Sequence, residues 1–384
     1  MPLDEIRQEI DAIDNELALL FQRRMALTGE VAREKRQSGG PILRREREEA
    51  ILERLGAGMP LTTKSALNQL YSTIFRLSRG RQMSLMDGEE CGIRQEIAAA
   101  RERGSAGFPG VGSVACQGIR GAYSHIAAQQ LFSEPNVVFL RTFDAVFRAV
   151  ECGLCRYGVL PIENSTYGSV TQVYDLLKRH SCSIVRALRL PIDHCLLSRA
   201  KFLKDVKEIY SHEQALGQCA EFLEKLGKHV AITVCENTAV AARMAAESGR
   251  EDVAAISSEE CAELYGLRVL KRSIQREARN ETRFICIARQ PELFPEANRC
   301  SVLLSLQHRP GSLAELLQLP AALGINLTKL ENRPAPGREF EFLFYLDLEC
   351  DASQPETVDF LERMAQLSEA FTFLGSYREM GGIL

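Results

Sequence analysis

Apolar residues recur at alternating steps of four and three along the beginning of the chain. They are Ile6, Ile10, Ile13, Leu17, Leu20, Leu27 and Val31. This spacing places them on one face of a helix, which continues until Ser38-Gly39-Gly40-Pro41 interrupts it. At about 1.5 Å per residue such a helix would span about 50 Å. Because two short helices cannot cover so long an apolar face, we expect a second chain to pack against it.

Two further helices are predicted before residue 90. One covers about 43–56, is rich in arginine and glutamate, and ends near Gly56-Ala57-Gly58. The other covers about 62–83 and is entered through Thr62-Thr63. We therefore predict an all-α domain at 1–90. The weaker pattern that follows predicts a glycine-rich linker at 91–112, which holds only a short helical run near 93–103.

Strand and helix patterns then alternate over residues 113–290. The predicted strands lie near 114–116, 137–140 and 159–162, with helices near 143–151 and 173–177. A second set of strands and helices covers about 209–267. Such alternation predicts an α/β domain with a mostly parallel sheet, divided into two lobes with a cleft between them.

The remaining segment, 299–378, has the order βαββαβ. Strands are predicted at 301–306, 325–330, 341–348 and 372–376, with helices beginning near Ser312 and at 356–368. This order predicts a third, α+β domain of ferredoxin-like topology.

Composition narrows the functional classes. The chain has 384 residues and a net charge of −4, and its sequence pI of about 6.0 argues against a nucleic-acid-binding protein. Without a signal peptide or a spanning apolar run, we expect a cytoplasmic protein with no membrane contact. Twelve cysteines include one CxxC, Cys152 to Cys155, and no second pair, so we predict reduced, buried thiols rather than a zinc site.

The stretch Tyr157 to Gly168 (YGVLPIENSTYG) is an apolar strand that ends in a proline and polar side chains. Parallel strands present ligands beyond their carboxyl ends, so Glu163, Asn164 and Ser165 are candidate binding residues at a crevice. The alternative is an ordinary connection to the next helix, with Ser165 or Thr166 as its N-cap.

A second stretch, Asn280 to Ile287 (NETRFICI), places Thr282 and Arg283 at the start of another apolar strand. Together the two stretches resemble the signatures of prephenate dehydratases. The resemblance implies a two-lobed fold similar to periplasmic binding proteins. It also implies that Thr282 assists departure of the ring hydroxyl and that Arg283 binds or orients a carboxylate-bearing substrate. Asn164 and Ser165 would position this substrate, and Glu163 would take part in binding it.

The glycine-rich turn Gly118 to His125 lacks the GxGxxG spacing of a dinucleotide site, so no nicotinamide or flavin cofactor is expected. The turn matches the opening motif of the same family, which implies that Ser124 contacts the substrate. No metal is expected. His194 and His212 are candidate acid or base groups, although a histidine beside apolar residues is more often structural.

The three N-terminal helices resemble the all-helical chorismate mutases, in which two chains interlock. The resemblance implies one arginine from the neighbouring chain, Arg7, and a set from one chain: Arg24, Lys35, Arg47, Glu48, Ser78 and Gln82. In that family, arginines clamp the substrate carboxylates, Lys35 and Gln82 would donate to the ether oxygen, and Glu48 would accept from the ring hydroxyl. Arg44 stands where the family often has an acidic residue. The alternative is a solvated helix face with i,i+4 ion pairs.

The C-terminal segment resembles a phenylalanine-binding ACT regulatory domain. Its implied effector-binding residues are those of a glycine-centred turn, Gly311, Ser312, Leu313 and Ala314, and those of a second turn, Glu331, Asn332, Arg333 and Pro334. Asn332 replaces the serine that the family has in the second turn. The resemblance implies feedback inhibition by phenylalanine.

These three modules occur in the order of the bifunctional chorismate mutase–prephenate dehydratases. The resemblance implies conversion of chorismate to prephenate and then to phenylpyruvate, in a homodimer or higher homo-oligomer. One alternative is a dehydratase whose mutase domain serves mainly for dimerisation. Another is a non-catalytic amino-acid sensor, against which the intact Thr282 and the Glu163-Asn164 pair argue.

Overall fold

The computed structural model describes residues 2–38, 45–86, 92–227, 229–277, 280–334 and 342–381. Arg44 lies outside these ranges. The chain divides into two compact units, Met1–Gly92 and Ile93–Leu384, each described by itself below. Among the described residues, no helix is both long and apolar enough to cross a membrane.

The first unit consists of helices α1 (Leu3–Ser38), α2 (Arg45–Leu55) and α3 (Leu61–Met86), which confirms the three predicted helices. The apolar stripe on the first half of α1 is not covered within one chain. Leu3, Ile6, Ile10, Ile13, Leu17 and Leu20 are each 39% to 62% exposed. Such a continuous apolar surface is what a second chain would bury.

The second unit contains ten helices and fifteen strands among its described residues. The helices are α4 (Gly92–Gly104), α5 (Tyr123–Leu131), α6 (Phe143–Glu151), α7 (Thr171–Arg179), α8 (Glu213–Gln218), α9 (Ala220–Leu226), α10 (Thr238–Glu247), α11 (Glu260–Tyr265), α12 (Ser312–Ala322) and α13 (Pro355–Leu367). The strands are β1 (Val111–Gln117), β2 (Glu134–Leu140), β3 (Tyr157–Asn164), β4 (Gly168–Ser169), β5 (Ser183–Pro191), β6 (Cys195–Ser198), β7 (Glu208–Ser211), β8 (Ala231–Val234), β9 (Val253–Ser257), β10 (Arg268–Lys271), β11 (Glu281–Ala288), β12 (Arg299–Ser305), β13 (Leu327–Pro334), β14 (Phe342–Leu348) and β15 (Ala370–Gly381).

These strands form two mixed sheets, which corrects the expectation of a mostly parallel one. In the larger sheet the order is β13-β14-β12-β15-β5-β11-β3-β1-β2, with β4 beside β3. The first lobe contains β1 to β5, β11 and α5 to α7; the second lobe contains the sheet β10-β6-β9-β7-β8 and α8 to α11. β11 returns from the second lobe and inserts antiparallel between β3 and β5, because the chain crosses between the lobes twice.

The C-terminal module, residues 299–381, has the predicted order βαββαβ and the strand order β13-β14-β12-β15. β15 is longer than predicted, and Arg378 to Gly381 pair in parallel with Arg186 to Arg189 of β5. This pairing joins the module and the first lobe into one sheet. The segment Glu331 to Pro334, expected as a turn, is instead the end of edge strand β13, which pairs with β14. Proline is tolerated on an edge strand.

The predicted linker is part of the fold of the second unit. α4 buries Ile97 and Ala100 against the C-terminal module, in a core with Leu293. A Cβ at Gly104 would lie 2.1 Å from the carbonyl oxygen of Leu293, so only glycine permits this approach. Arg94 also forms ion pairs with Asp359 and Glu362 of α13, each at 2.8 Å. The alanine-rich, weakly periodic sequence of α4 did not predict this packing.

The cysteines are free thiols wherever the structure describes them. Cys152 is exposed and Cys350 is half-buried, while the others are buried. The prediction of reduced, mostly buried thiols is therefore confirmed for the described positions.

Candidate active sites

A cavity of about 440 Å³ lies between the three helices of the first unit. Six of the predicted residues line it together: Arg24, Lys35, Arg47, Glu48, Ser78 and Gln82. Helix geometry explains this convergence, because residues three, four and seven apart share one face. The volume lies within the ordinary range for a small-molecule site.

Neutral groups hold two of the cations that line this cavity. Arg24 donates to the hydroxyl of Ser78, and its guanidinium lies 5.6 Å from the centre of the Phe75 ring. The ammonium of Lys35 donates to Oε1 of Gln82 at 3.0 Å. The hydroxyl of Ser78 and the amide of Gln82 thus orient two of the cations that line the cavity, which Glu34 and Glu48 also line.

Glu48 is held by a residue that the sequence reasoning missed. Nη1 of Arg79 lies 2.5 Å and 2.7 Å from the two carboxylate oxygens of Glu48. Arg79 and Phe75 lie with Ser78 and Gln82 on one face of α3, spaced i, i+3, i+4 and i+7. That periodicity was the signal that could have identified Arg79.

Arg7 does not reach this cavity within one chain. It lies on the exposed part of α1, 66% exposed and 3.6 Å from Asp4. Arg24 follows it by about 25 Å along the helix axis. A role for Arg7 in the cavity therefore requires a second chain and remains a prediction.

In the second unit, Asn164 and Thr282 lie directly opposite each other on the antiparallel strands β3 and β11. Nδ2 of Asn164 donates to the hydroxyl oxygen of Thr282 and to Oδ1 of Asn280, both at 2.9 Å. Oδ1 of Asn164 accepts from the backbone N–H groups of Thr166 and Tyr167, both at 3.0 Å. These two backbone donors fix the orientation of the amide, so its N–H groups face Thr282. The hydroxyl hydrogen of Thr282 can then point to a ligand.

Ser165 joins the two strands rather than capping a helix. Its hydroxyl accepts from the backbone N–H of Glu281 at 3.0 Å, and its own N–H donates to the Glu281 carbonyl at 2.9 Å. Helix α7 begins later, at Thr171, with Val170 as its N-cap and no side-chain cap. The alternative of a Ser165 or Thr166 cap is therefore wrong.

Glu163 and Arg283 lie on the opposite face of the strands from Asn164 and Thr282, and their role in substrate binding stays a prediction. Successive side chains of a strand point to opposite faces, so neighbours in a motif are separated. Arg283 is buried and forms ion pairs with Asp347 and Glu379. Burial by itself lowers the pKa of Arg283, but Tyr377 and these carboxylates hold it well above its ordinary value. Glu163 pairs with Lys329.

Ser124 lies in the first turn of α5 and is buried. Its carbonyl accepts from the thiol of Cys116 at 3.5 Å. Among the described residues, no hydrogen bond joins Ser124 to Asn164 or Thr282, so its role in binding remains a prediction.

A cavity of about 190 Å³ lies where the two lobes meet beside this strand pair. Its lining includes Asn280 and, from the second lobe, Gln218. Nδ2 of Asn280 is buried and has no hydrogen-bond partner among the described residues. Sequence reasoning assigned neither residue a role. The position of Asn280, two residues before Thr282, was a usable signal, since alternate residues share a face.

Both candidate histidines have structural contacts. Nε2 of the buried His194 lies 2.7 Å from Oε1 of Gln218. Burial lowers the pKa of His194, so its ring is neutral near pH 7 and orients the amide of Gln218. His212 is the N-cap of α8 and accepts from the N–H of Gln214 at 3.4 Å.

The residues predicted to bind an effector lie in the C-terminal module. Gly311 has φ +87° and precedes α12, a conformation that favours glycine. The hydroxyl of Ser312 donates to the carbonyl of Gln307 at 2.7 Å. On β13, Arg333 donates to both oxygens of Asp175 at 2.9 Å and 2.8 Å. Glu331 accepts from Ser169 at 2.7 Å.

Clusters of at least three histidine, cysteine, aspartate or glutamate residues that could hold a metal ion are absent from the part of the chain that the structure describes.

Comparison with known proteins matches two parts of the chain to two families. Residues 6–83 match a family model described as chorismate mutase type II, and residues 114–292 match one described as prephenate dehydratase. The chain is 32% identical over 383 residues to a bifunctional chorismate mutase/prephenate dehydratase of Escherichia coli strain K12, covering 98% of this chain and 96% of that relative.

Two further similarities concern the second unit. The chain is 39% identical over 277 residues to arogenate dehydratase/prephenate dehydratase 2 of Arabidopsis thaliana, covering 69% of this chain and 72% of that relative. The crystal structure of a prephenate dehydratase from Arthrobacter aurescens in complex with L-Phe aligns with a TM-score of 0.63 and 28% identity, over 69% of this chain and 89% of that chain. The C-terminal module lies outside both matched ranges.

Proposed function

The chain belongs to the family of bifunctional chorismate mutase/prephenate dehydratases, and from this premise we propose how its residues share the two reactions. It is an enzyme that rearranges chorismate to prephenate and converts prephenate to phenylpyruvate. The observation that carries the assignment of roles is the presence of two separate sites, one lined by Arg24, Lys35, Arg47 and Glu48 and one built around Asn164 and Thr282.

For the mutase, we propose that the cavity of the first unit binds chorismate in a compact conformer. The reaction is a pericyclic rearrangement that needs no nucleophile, so positioning and stabilisation of charge on the ether oxygen suffice. Arg24 and Arg47 would bind carboxylates, and Lys35 and Gln82 would donate to the ether oxygen. Glu48, held by Arg79, would accept from the ring hydroxyl.

For the dehydratase, we propose that Thr282 donates a hydrogen bond to the departing ring hydroxyl. The electron pair of the ring–carboxylate bond enters the ring as carbon dioxide leaves, and the electron pair of the carbon–oxygen bond leaves with the hydroxyl. A proton from solvent completes water, and the ring becomes aromatic. Asn164 supports this role, because it donates to the oxygen of Thr282 and leaves the hydroxyl hydrogen for the substrate.

The amides of Asn164 and Asn280, which are hydrogen-bonded beside Thr282, are neutral and suit this reaction, although Arg276 and Glu277 also line the adjoining cavity. A guanidinium bound to the reacting carboxylate would stabilise the ground state more than the transition state, in which that charge disperses into the ring. We propose that Asn280 and Gln218 supply neutral donors to the rest of the substrate, since both line the adjoining cavity.

The purified protein assayed separately with chorismate and with prephenate tests both activities. Formation of prephenate from the first and of phenylpyruvate from the second is expected. Turnover of prephenate alone would support the alternative of a mutase domain kept for dimerisation. Turnover of neither substrate would support the alternative of a non-catalytic amino-acid sensor.

Arogenate is a second candidate substrate, favoured by the similarity to the Arabidopsis dehydratase. It carries an amine where prephenate carries a side-chain ketone, and the reacting ring is the same. Measuring kcat/KM with both substrates decides between them, and we expect the higher value for prephenate because the relative that spans the full chain is named for it.

We also propose that the C-terminal module is an ACT domain that binds phenylalanine between two chains and inhibits the dehydratase far more than the mutase. Glu331 and Arg333 offer an anion and a cation, which complement the ammonium and carboxylate of an amino acid. In one chain they bind Ser169 and Asp175 of the first lobe. An effector that bound Glu331 and Arg333 would break their contacts with Ser169 and Asp175 of the dehydratase.

Calorimetric titration with phenylalanine, alone and with a prephenate analogue, tests this proposal. The binding constants of the two ligands must weaken each other equally, by about 5- to 150-fold for ordinary allosteric coupling. We expect Gly311→Val to abolish phenylalanine binding because the φ of +87° is strained for valine. Unchanged binding by this variant would contradict the proposed place of the effector.

A further inference from the structure

Glu163 and Arg283 lie directly opposite each other on β3 and β11, one register position from the Asn164–Thr282 pair. Oppositely charged residues in such positions on antiparallel strands ordinarily attract each other across the strands. Here each is bound instead by a residue of opposite charge from the C-terminal module. The two charges immediately behind the proposed catalytic pair are therefore both satisfied by another part of the chain.

Arg283 has three partners in that module. Its guanidinium donates to Glu379 at 2.5 Å, to Asp347, and to the hydroxyl of Tyr377 at 2.9 Å. The residue is only 6% exposed. A buried cation requires such partners, so the position of Arg283 depends on where Asp347 and Glu379 lie.

Glu163 is bound by Lys329, whose ammonium lies 2.7 Å from Oε1 of Glu163. The same ammonium donates to the hydroxyl of Ser169 at 2.8 Å. Ser169 belongs to β4, which pairs with the end of β3. Lys329 therefore fixes both the strand that carries Asn164 and the short strand that returns beside it.

The continuous sheet adds a backbone connection to these ion pairs. Glu379 lies on β15, opposite Ala187 of β5, and β5 pairs in turn with β11. The carboxylate of Glu379 also accepts from Nε of Arg189 at 2.9 Å. Glu379 thus contacts β11, which carries Thr282, and the neighbouring strand β5.

We propose that Glu163 and Arg283 are positioning residues through which the C-terminal module sets the geometry of Asn164 and Thr282. They do not touch the substrate. A displacement of Asp347 or Lys329 changes the separation of the two strands at the point where Asn164 donates to Thr282. The inference rests on the proposed role of Thr282 and names the route by which an effector bound to the module alters turnover.

A double-mutant cycle on Glu163 and Lys329 tests the inference in the full chain. Lys329→Met, Glu163→Gln and the double variant are compared with the wild type. Because the two residues act as a unit, each single variant should lower the kcat for prephenate by about three- to thirtyfold, and the double variant should lose no more than the worse single variant. The KM should stay within about twofold, since no substrate contact is removed.

Arg363→Met is the matched control, because Arg363 is a cation of the same module on the exposed side of α13. It should retain the wild-type kcat. Chorismate turnover and the melting temperature of each preparation are measured in parallel. Unchanged chorismate turnover shows that the chain is intact in the first unit, and an unchanged melting transition shows that the second unit is folded.

A second set of variants tests the role of Arg283 by changing its partner Asp347. Asp347→Asn should lower kcat for prephenate with little change in KM, whereas Asp351→Asn, the same chemical change elsewhere in the module, should not. If Asp347→Asn does not fold, the cycle on Lys329 decides alone. A raised KM in Glu163→Gln together with a wild-type kcat in Lys329→Met would overturn the inference, as would additive losses in the double variant.

Thr282→Ala separates failure of this inference from failure of the proposed site. If Thr282→Ala is inactive on prephenate but the cycle is additive, Thr282 keeps its role and the coupling is wrong. If Thr282→Ala remains active, the proposed catalytic pair itself is wrong, and with it the inference.

Discussion

The two sites differ in the secondary structure that carries them. The cavity of the first unit is built from helices, and residues spaced by three or four bring Arg24, Ser78 and Gln82 to one surface. The site of the second unit is built from two strands, where adjacent residues of one motif point to opposite faces. A motif read as a unit therefore does not show which of its residues share a face, since successive residues of a strand lie on opposite sides of the sheet.

The sites also differ in where their charges lie. Cations line the helical cavity, where they face the position of a dianionic substrate. At the strand site the charges of Glu163 and Arg283 lie on the far face. The neutral Asn164 and Thr282 lie on the near face, beside a cavity that Arg276 and Glu277 help to line. Both reactions develop negative charge on an oxygen, the ether oxygen in one and the departing hydroxyl in the other, and the dehydratase also disperses the charge of a carboxylate.

The largest test of this separation is Thr282→Ala. Removing the only hydroxyl proposed to act on the leaving group should lower kcat for prephenate by about 10²- to 10⁴-fold. Chorismate turnover should persist, because the two sites lie in different units. Thr282→Ser is the matched control and should retain most of the activity. A folded Thr282→Ala protein that has lost both reactions would show that the sites are not independent.

Arg7→Ala tests whether the helical cavity needs a second chain. Loss of one guanidinium from the site should lower mutase turnover by about 10²- to 10³-fold and leave the dehydratase unchanged. If each site takes Arg7 from one chain and Arg24 from the other, a mixed dimer of inactive Arg7→Ala and Arg24→Ala chains has one intact site. Mixing and refolding the two variants makes about half of the dimers mixed. This should restore about a quarter of the wild-type mutase activity. Full mutase activity in a verified monomer would rule out the shared site.

Arg79→Gln probes the smallest of these effects, support of Glu48 within the cavity. We expect mutase turnover to fall by about five- to thirtyfold, and the Glu48→Gln, Arg79→Gln double variant to lose little more than Glu48→Gln alone. Arg33→Gln is the control, because Arg33 forms an exposed ion pair with Glu30 at 3.0 Å. Strictly additive losses would give Arg79 a contact of its own with the substrate.

The sequence predicted the helices of the first unit and the βαββαβ order of the C-terminal module, because the hydrophobic periodicity of a long segment indicates its secondary structure. The sequence predicted neither β5 nor the insertion of β11 beside β5, since strand order depends on contacts between distant segments. The packing of α4 was missed for a related reason: Gly104 reads as a linker residue until Leu293 is seen against it.

The candidate site residues also divide into those whose surroundings the local sequence predicts and those whose surroundings depend on distant segments. Six residues of the mutase set meet because helical spacing fixes their face. The ion pairs of Arg283 could not be predicted, because nothing in the local sequence indicates Asp347 and Glu379 as its partners. Asn280 was overlooked although it stands two residues before Thr282, where strand alternation places it on the same side.

The last residues of β15 have a consequence for the solubility of shortened chains. Arg378 to Gly381 cover the edge of β5, a strand in which six of the nine residues are buried. A chain that ended at Tyr377 would expose the peptide groups of Arg186 to Arg189 to other molecules. Open edges of apolar strands template aggregation. Such a truncated chain would be expected to precipitate although every residue of both active sites is present.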